Sequence, residues 1–200
     1  MFKLLIATKN PAKFQEITSY LKVPAKFLSL KDLNIQKEPV ENGATFKENA
    51  LIKARFYCKQ SGLTTLADDG GLIIDALNGE PGVKSHRWID SSKDNEDEDL
   101  IAYTLKRMAK TPKSKRTARF HVAIALVTPD GKEIVSEAEV KGVIHTTPSL
   151  RRIPGYPYRA LFYFPALKKY YDELSEKEHA KLNHRKKALI KINKVLKLLI

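Results

Sequence analysis

The spacing of apolar side chains predicts alternating strands and helices in the first half of the chain. Phe2–Ala7 is an unbroken apolar run, typical of a buried strand. Asn10 and Pro11 follow it and favour the start of a helix, since Asn caps helices and Pro suits their first position. Thr45–Gln60 carries apolar residues at helical spacing, and Gly62 is a stop signal.

The rest of the pattern predicts a hairpin and terminal helices. Asp94–Met108 has an acidic start that suits a helix, and Ser175 begins a capping box that opens a last helix. Strands are expected at Thr64–Ala67, Leu72–Ala76, Phe120–Thr128 and Glu133–Val143. We therefore expect an α/β fold, a long mixed sheet flanked by helices, formed as a single domain by residues 1–200.

Composition narrows the class of protein. Hydrophobic residues make up 42% and charged residues 30% of the 200, as in globular proteins with a core. No apolar run is long enough for a membrane span. The apolar start of the chain, Met1–Ala7, is too short for a signal peptide. Cys58 is the only cysteine, which excludes an intramolecular disulfide and a cysteine-based zinc site. We expect a cytoplasmic protein without membrane partners.

The positive charge is uneven. The net charge is +13, and residues 101–200 hold 22 Lys and Arg against 8 Asp and Glu. Such asymmetry suggests an anionic partner, such as a nucleic acid, a membrane surface or a polyphosphate. A solvated basic face is the alternative.

Polar side chains stand where the first strand meets the first helix. Thr8, Asn10 and Lys13 bring hydroxyl, amide and ammonium groups to this point. A helix N-terminus offers backbone N–H groups and a positive dipole end, which both suit phosphate. An ordinary capped helix with a surface lysine is the alternative.

Carboxylates next to another predicted strand suggest a metal site. Asp68 and Asp69 close an apolar segment, and oxygen ligands of this kind suit Mg²⁺. Glu41, before the second helix, would complete the site. Lys53 flanks the apolar stripe of that helix, and a partly buried lysine needs an anion. The alternatives are a plain Asp-Gly turn at Gly70 and a surface lysine.

Two later segments carry side chains that suit a nucleobase. Tyr156, Tyr158 and Arg159 lie on a loop shaped by proline and glycine, where rings and guanidinium can stack on a base. His184 and Arg185 lie in the predicted last helix and suit a base or a phosphate. A packed aromatic loop and a basic helix face are the respective alternatives.

Together these motifs resemble one family, the inosine triphosphate pyrophosphatases, over nearly the whole chain. That family hydrolyses purine nucleoside triphosphates such as ITP, dITP and XTP to the monophosphate and pyrophosphate, which cleans the nucleotide pool. The motifs that carry the resemblance are Ala7-Thr8-Lys9-Asn10-Pro11-Ala12-Lys13, Glu41 with Asn49-Ala50 and Lys53-Ala54, Ala67-Asp68-Asp69-Gly70-Gly71-Leu72 with Gly79-Glu80-Pro81-Gly82-Val83, Gly155-Tyr156-Pro157-Tyr158, and Asn183-His184-Arg185 with Ala188-Leu189.

The resemblance implies Mg²⁺, a homodimer, and two lobes around a nucleotide-binding cleft. It implies Asp69 as proton acceptor for the attacking water, and Glu41, Asp69 and Asp68 as the metal site. The residues that it implies for the substrate are Thr8, Asn10, Lys13, Lys53 and Gly70 at the phosphates, and Tyr156, Tyr158, Arg159, His179, His184 and Arg185 around the base.

The base-binding loop departs from the family pattern Gly-Phe-Gly-Tyr-Asp-Pro. Pro157, Arg159 and Ala160 replace its second glycine, its aspartate and its proline. Gly70 and His179 replace a serine and a lysine. The phosphate half is therefore nearly complete, whereas the base half is altered.

Two other functions remain open. One is a pyrophosphatase with a different base preference, as in the Maf-like relatives. The other is a nucleic-acid-binding protein on the same fold; the basic side chains that it would use are Lys113, Lys115, Arg116, Arg119, Arg151 and Arg152.

Overall fold

The paired aspartates lie inside one continuous strand. The computed structural model describes residues 1–200, and its third strand, β3, runs from Thr65 to Ile74. The prediction of two short strands separated at Asp68–Gly71 is therefore wrong. Successive side chains of a strand point to opposite faces of a sheet, so Asp68 and Asp69 project to opposite sides.

A close contact at Gly71 explains the continuity of β3. A Cβ atom on Gly71 would lie 2.0 Å from Ser85 Oγ and 2.8 Å from the carbonyl oxygen of Gly82. Ser85 Oγ accepts a hydrogen bond from the Leu72 N–H at 3.1 Å and donates one to the Gly82 carbonyl at 2.7 Å. Because position 71 is a glycine, the segment that contains Gly82 and Ser85 can approach β3 and hold it in its extended form.

The sheet is mixed, as expected. Its seven strands lie in the order β2-β1-β3-β4-β5-β6-β7. β1 pairs in parallel with β2 and β3, whereas β6 pairs antiparallel with β5 and β7. The strands are β1 (Phe2–Ile6), β2 (Ala25–Ser29), β3, β4 (Thr117–Val127), β5 (Glu133–Ile144), β6 (Phe162–Phe164) and β7 (Lys169–Tyr170).

Most of the predicted elements are confirmed. β1, the first two helices, the third helix and the β4–β5 hairpin occur where the apolar pattern places them, although the third helix begins three residues late. The helices are α1 (Pro11–Tyr20), α2 (Phe46–Ser61), α3 (Asp97–Arg107), α4 (Glu176–Leu182) and α5 (His184–Leu199).

The single last helix predicted from the capping box is in fact two helices. The Ser175 box caps α4 as expected. Asn183 then leaves the helical conformation with ψ 116°, and α5 begins at His184. The break occurs at the Asn-His-Arg motif, so His184 and Arg185 lie in the first turn of a new helix.

The chain forms two compact units, each with its own apolar core. In unit 1, α1 and α5 contribute Ile17, Leu189 and Ile192 to a core around Leu4 and Ile124. In unit 2, Phe162 packs among Phe120, Phe164 and Tyr171. Unit 1 comprises Met1–Asp69, Val122–Ala138 and His184–Ile200, and unit 2 comprises Gly70–His121 and Glu139–Asn183. None of the helices combines the length and the apolar composition that a membrane span requires.

We predict that Gly71→Ala lowers the free energy of unfolding by about 1–3 kcal/mol, the usual cost of overpacking. The added methyl group would collide with both Ser85 and the Gly82 backbone. Urea unfolding of the parent and the variant measures the difference. Adding Ser85→Gly to Gly71→Ala should recover part of the loss, and equal stability of parent and Gly71→Ala would contradict the role given to this contact.

Candidate active site

Asn10 caps α1 and satisfies its first amide groups. Asn10 Oδ1 accepts hydrogen bonds from the N–H of Ala12 at 2.9 Å and of Lys13 at 3.1 Å. The Asn10 N–H itself donates to Thr8 Oγ1 at 3.2 Å. The backbone groups expected for a phosphate are thus already bonded, so an anion here would be met by the side chains of Thr8, Asn10 and Lys13.

The start of α2 holds the loop that carries Glu41. Thr45 and Glu48 form a complete capping box. One turn later, Asn49 Oδ1 accepts a hydrogen bond from the Gly43 N–H at 2.8 Å. Asn49 is buried, so it fixes the loop two residues after Glu41 and positions that carboxylate beside α2.

Lys53 of α2 joins two of the predicted metal ligands. Its Nζ donates to Glu41 Oε2 at 2.7 Å and to Asp69 Oδ1 at 3.2 Å. Burial alone would lower the pKa of Lys53, but the carboxylates of Asp69 and Glu41 outweigh it and raise that pKa above its ordinary value. The buried side of α2 therefore presents a charged ammonium group.

Asp69 retains one carboxylate oxygen without a partner. Its Oδ2 is buried and makes no hydrogen bond, although Oδ1 is bonded to Lys53. Burial raises the pKa of Asp69 above the ordinary aspartate value, and the charges of Lys53 and Lys13 only partly oppose it. A buried acceptor without a donor is costly, and at this position it suits a bound cation or water.

Asp68, on the other face of β3, is engaged by protein cations through its Oδ2 atom. Its Oδ2 accepts a hydrogen bond from Arg185 Nε at 2.9 Å and lies 3.6 Å from Lys13 Nζ. Burial alone would raise the pKa of Asp68, but the charges of Lys13, Arg185 and Lys53 hold it well below the usual range. The carboxylate is thus kept ionised inside the protein.

Glu16 is a member of this cluster that the sequence analysis missed. Its Oε2 accepts a hydrogen bond from Arg185 Nη1 at 2.9 Å, and both side chains are almost completely buried. Glu16 lies three positions after Lys13 on α1, so the two share a helix face. That spacing was the one signal for Glu16 in the sequence.

The residues predicted around the base lie mostly in unit 2. The Arg159 guanidinium stacks 3.7 Å from the centre of the Tyr156 ring and 4.9 Å from that of Tyr171. Tyr171, which the sequence analysis did not single out, also contacts the ring of His179 at 5.5 Å between centres. Arg159 is thus buried between aromatic rings.

Tyr158 belongs to the core of unit 2. Its side chain is buried, and its hydroxyl donates a hydrogen bond to the carbonyl oxygen of Ser85. Burial, together with the charge of Asp97, raises the pKa of this hydroxyl. Tyr158 therefore supports the loop that presents Tyr156 and Arg159.

The structure brings the charged phosphate and metal candidates together in unit 1, around the two aspartates of β3, whereas Gly70 belongs to unit 2. Arg185, which the resemblance places near the base, also joins this cluster through Asp68. The chain contains no group of three or more His, Cys, Asp or Glu side chains arranged to hold a metal by themselves. The members of the cluster are Lys13, Glu16, Glu41, Lys53, Asp68, Asp69 and Arg185.

Comparison with known proteins assigns the family. Residues 4–195 match the Ham1 family. The chain belongs to the Ham1 family. Ham1 relatives include a dITP/XTP pyrophosphatase of Halalkalibacterium halodurans, 40% identical over 98% of this chain and 100% of the relative. Another, from Thermus thermophilus and of the same name, is 41% identical over 94% of this chain and 88% of the relative.

Solved Ham1 structures have the same fold. The HAM1 protein of Coxiella burnetii superposes with a TM-score of 0.85 at 34% identity, covering 98% of this chain and 99% of the other. The Ham1 protein of Staphylococcus aureus gives a TM-score of 0.84 at 30% identity, covering 99% and 100%. The expected mixed α/β architecture is confirmed.

We predict that Arg185→Met destabilises this Ham1 protein by about 3–5 kcal/mol, the cost of leaving a buried ion pair without one partner. Two buried carboxylates, those of Asp68 and Glu16, would lose their shared guanidinium. Lys187→Met, on the exposed side of the same helix, is the matched control and should stay within about 0.5 kcal/mol of the parent. Urea unfolding measures both, and equal losses in the two variants would argue against the buried network.

Proposed function

We propose that this protein hydrolyses purine nucleoside triphosphates with non-standard bases, namely ITP, dITP and XTP, to the monophosphate and pyrophosphate. Its relatives named dITP/XTP pyrophosphatase are 37–41% identical over nearly the whole chain, which supports an enzyme that cleaves an acid anhydride. The observation that carries the proposal within the structure is the buried carboxylate of Asp69, which is paired with Lys53 through Oδ1 and has no partner at Oδ2.

The carboxylates fit a divalent metal, which we propose is Mg²⁺. Glu41 and Asp69 already share one cation, the Lys53 ammonium, and Asp69 Oδ2 is a buried oxygen without a donor. Mg²⁺ is commonly held by one or two carboxylates together with substrate phosphates, so two carboxylates suffice. When bound, the metal would neutralise charge that develops on the phosphates.

The protein side chains have separate tasks in this mechanism. Asp69, with its raised pKa, would orient a water molecule and accept its proton. Lys13 and Lys53, with the hydroxyl of Thr8 and the amide of Asn10, would hold the triphosphate. The lysines bring charge to a buried site, where it stabilises the transition state more than it would in water.

Asp68 has a supporting role in the proposed site, through its ion pairs with Arg185 and Lys13. It belongs to the predicted metal set, yet its Oδ2 is engaged by Arg185 and Lys13. We therefore propose that Asp68 acts on Mg²⁺ through the local charge balance, whereas Glu41 and Asp69 act as direct ligands.

Recognition of the base is proposed for unit 2. The ring of Tyr156, backed by the Arg159 guanidinium, suits stacking on a purine. Gly70, His179 and His184 remain proposed contacts on the strength of the family resemblance. A homodimer that acts on cytoplasmic nucleotides is part of the same proposal.

The alternative of a nucleic-acid-binding protein is weakened because three of its six basic side chains are buried or paired with carboxylates in the structure. Arg116 is buried and donates to the carbonyls of Ile144 and Met108. Carboxylates engage Arg119 and Arg152. Lys113, Lys115 and Arg151 remain exposed, and three cations form a weak polyanion site. A Maf-like base preference remains an outcome of the substrate test.

The test of the proposed function is a panel of ITP, dITP, XTP and the standard triphosphates with Mg²⁺. We expect the non-standard purines to be preferred and pyrophosphate to be released in equal amount to the monophosphate. Excess chelator should abolish turnover, because the phosphate charge would lack its metal. Release of orthophosphate as the first product, or full activity with chelator, would refute the mechanism.

We also predict that Asp69→Asn folds normally and lowers kcat by about two orders of magnitude or more, the usual contribution of a general base. The amide retains the shape of the carboxylate but accepts no proton. Asp99→Asn, a change at an exposed position of α3, is the control and should retain the parent kcat. An unchanged kcat in Asp69→Asn would remove Asp69 from the reaction.

A further inference from the structure

The Lys53 ammonium lies between the two carboxylates proposed to bind the metal. Its Nζ is 2.7 Å from Glu41 Oε2 and 3.2 Å from Asp69 Oδ1, and the Lys53 side chain is only 13% exposed. A divalent ion on the same two oxygens would lie next to this ammonium. Like charges at such a distance repel strongly in a buried site, so the two cations compete.

We propose that the Lys53 ammonium occupies the cation position between Glu41 and Asp69 in the free enzyme, and that the triphosphate must draw it away before a metal binds there. The inference rests on the proposed function and goes beyond it. It makes Lys53, which is also proposed to hold the triphosphate, the group that couples the binding of metal and nucleotide.

The unpartnered oxygen of Asp69 is independent support. The ammonium satisfies Oδ1, while Oδ2 remains buried without a hydrogen bond. Lys53 therefore fills the carboxylate pair only in part. A ligand that reaches Oδ2 has a favourable site available, provided that the competing charge leaves.

The triphosphate makes the departure of Lys53 feasible. A buried lysine that simply left its carboxylates would be an unpaired charge, which is strongly unfavourable. Phosphate oxygens offer Lys53 a replacement anion, and the metal offers one cation to Glu41 and Asp69. The exchange leaves no charge unpaired, so each ligand strengthens the binding of the other by the same factor.

Lys13 provides the comparison within the same cluster. It carries the same charge and the same low exposure, yet its Nζ faces Asp68 at 3.6 Å and does not join Glu41 to Asp69. Arg185 shares Asp68 with it. Loss of Lys13 would change the electrostatic potential at Asp69 only from a distance, because the ion pair of Lys13 is with Asp68.

The experiment measures binding of Mn²⁺ alone, without nucleotide, by the electron paramagnetic resonance signal of the free ion. We expect Lys53→Met to bind Mn²⁺ about tenfold or more tightly than the parent, the scale on which one neighbouring charge shifts an ionic equilibrium. Lys53→Arg retains the charge and should show no such gain. Lys13→Met should gain clearly less than Lys53→Met.

An unchanged or weaker Mn²⁺ affinity in folded Lys53→Met would overturn the inference, because a lysine that merely supports the site would give that result. An equal gain in Lys13→Met would overturn it too, since removal of any nearby positive charge would then increase the Mn²⁺ affinity. Release of pyrophosphate by the parent enzyme tests the proposed function separately, so the two can fail independently.

A second measurement uses the parent protein, in case Lys53→Met does not fold. The Nζ resonance of Lys53 is followed by NMR in protein labelled with ¹⁵N-lysine and is assigned through Lys53→Arg. An α,β-imido analogue of ITP should shift this resonance in the absence of metal, as the ammonium moves to the phosphates. A resonance that does not respond to the analogue would contradict the proposal.

Discussion

Two adjacent buried carboxylates on β3 determine how unit 1 is arranged. A buried carboxylate must be paired, since an unpaired charge costs more than most single interactions contribute. Asp68 is paired by Arg185 from α5 and approached by Lys13 from α1, and Asp69 is paired by Lys53 from α2. Three helices distant in sequence are thereby tied to one strand.

The alternation of side chains along a strand gives the two aspartates different surroundings. Asp68 faces guanidinium and ammonium groups that hold its pKa low, so it is a fixed negative charge. Asp69 faces the opposite side, where burial raises its pKa and one oxygen stays without a partner. The extended backbone separates a carboxylate held by protein cations from one that has an oxygen without a partner.

The local pattern of the sequence was sufficient for most elements but not for those fixed by distant contacts. Asn10 and Thr45 cap their helices as predicted because capping depends on neighbouring residues. The continuity of β3 depends on Ser85, fourteen positions beyond Gly71, and no local rule contains that contact. Arg185 meets Asp68 across 117 positions. Its motif could be recognised, but its partner could not be predicted.

Under the proposed function, the changes in the loop proposed to bind the base would affect selectivity more than hydrolysis, for electrostatic reasons. The charges that would act on the phosphates belong to unit 1, and none of them comes from the altered loop. Arg159 in unit 2 is buried against Tyr156 and Tyr171. A guanidinium carries only donors, whereas an ionised aspartate, as in the family pattern, carries only acceptors. Under the proposal, the loop would therefore change which purine is preferred, while the residues proposed to act on the phosphates are retained.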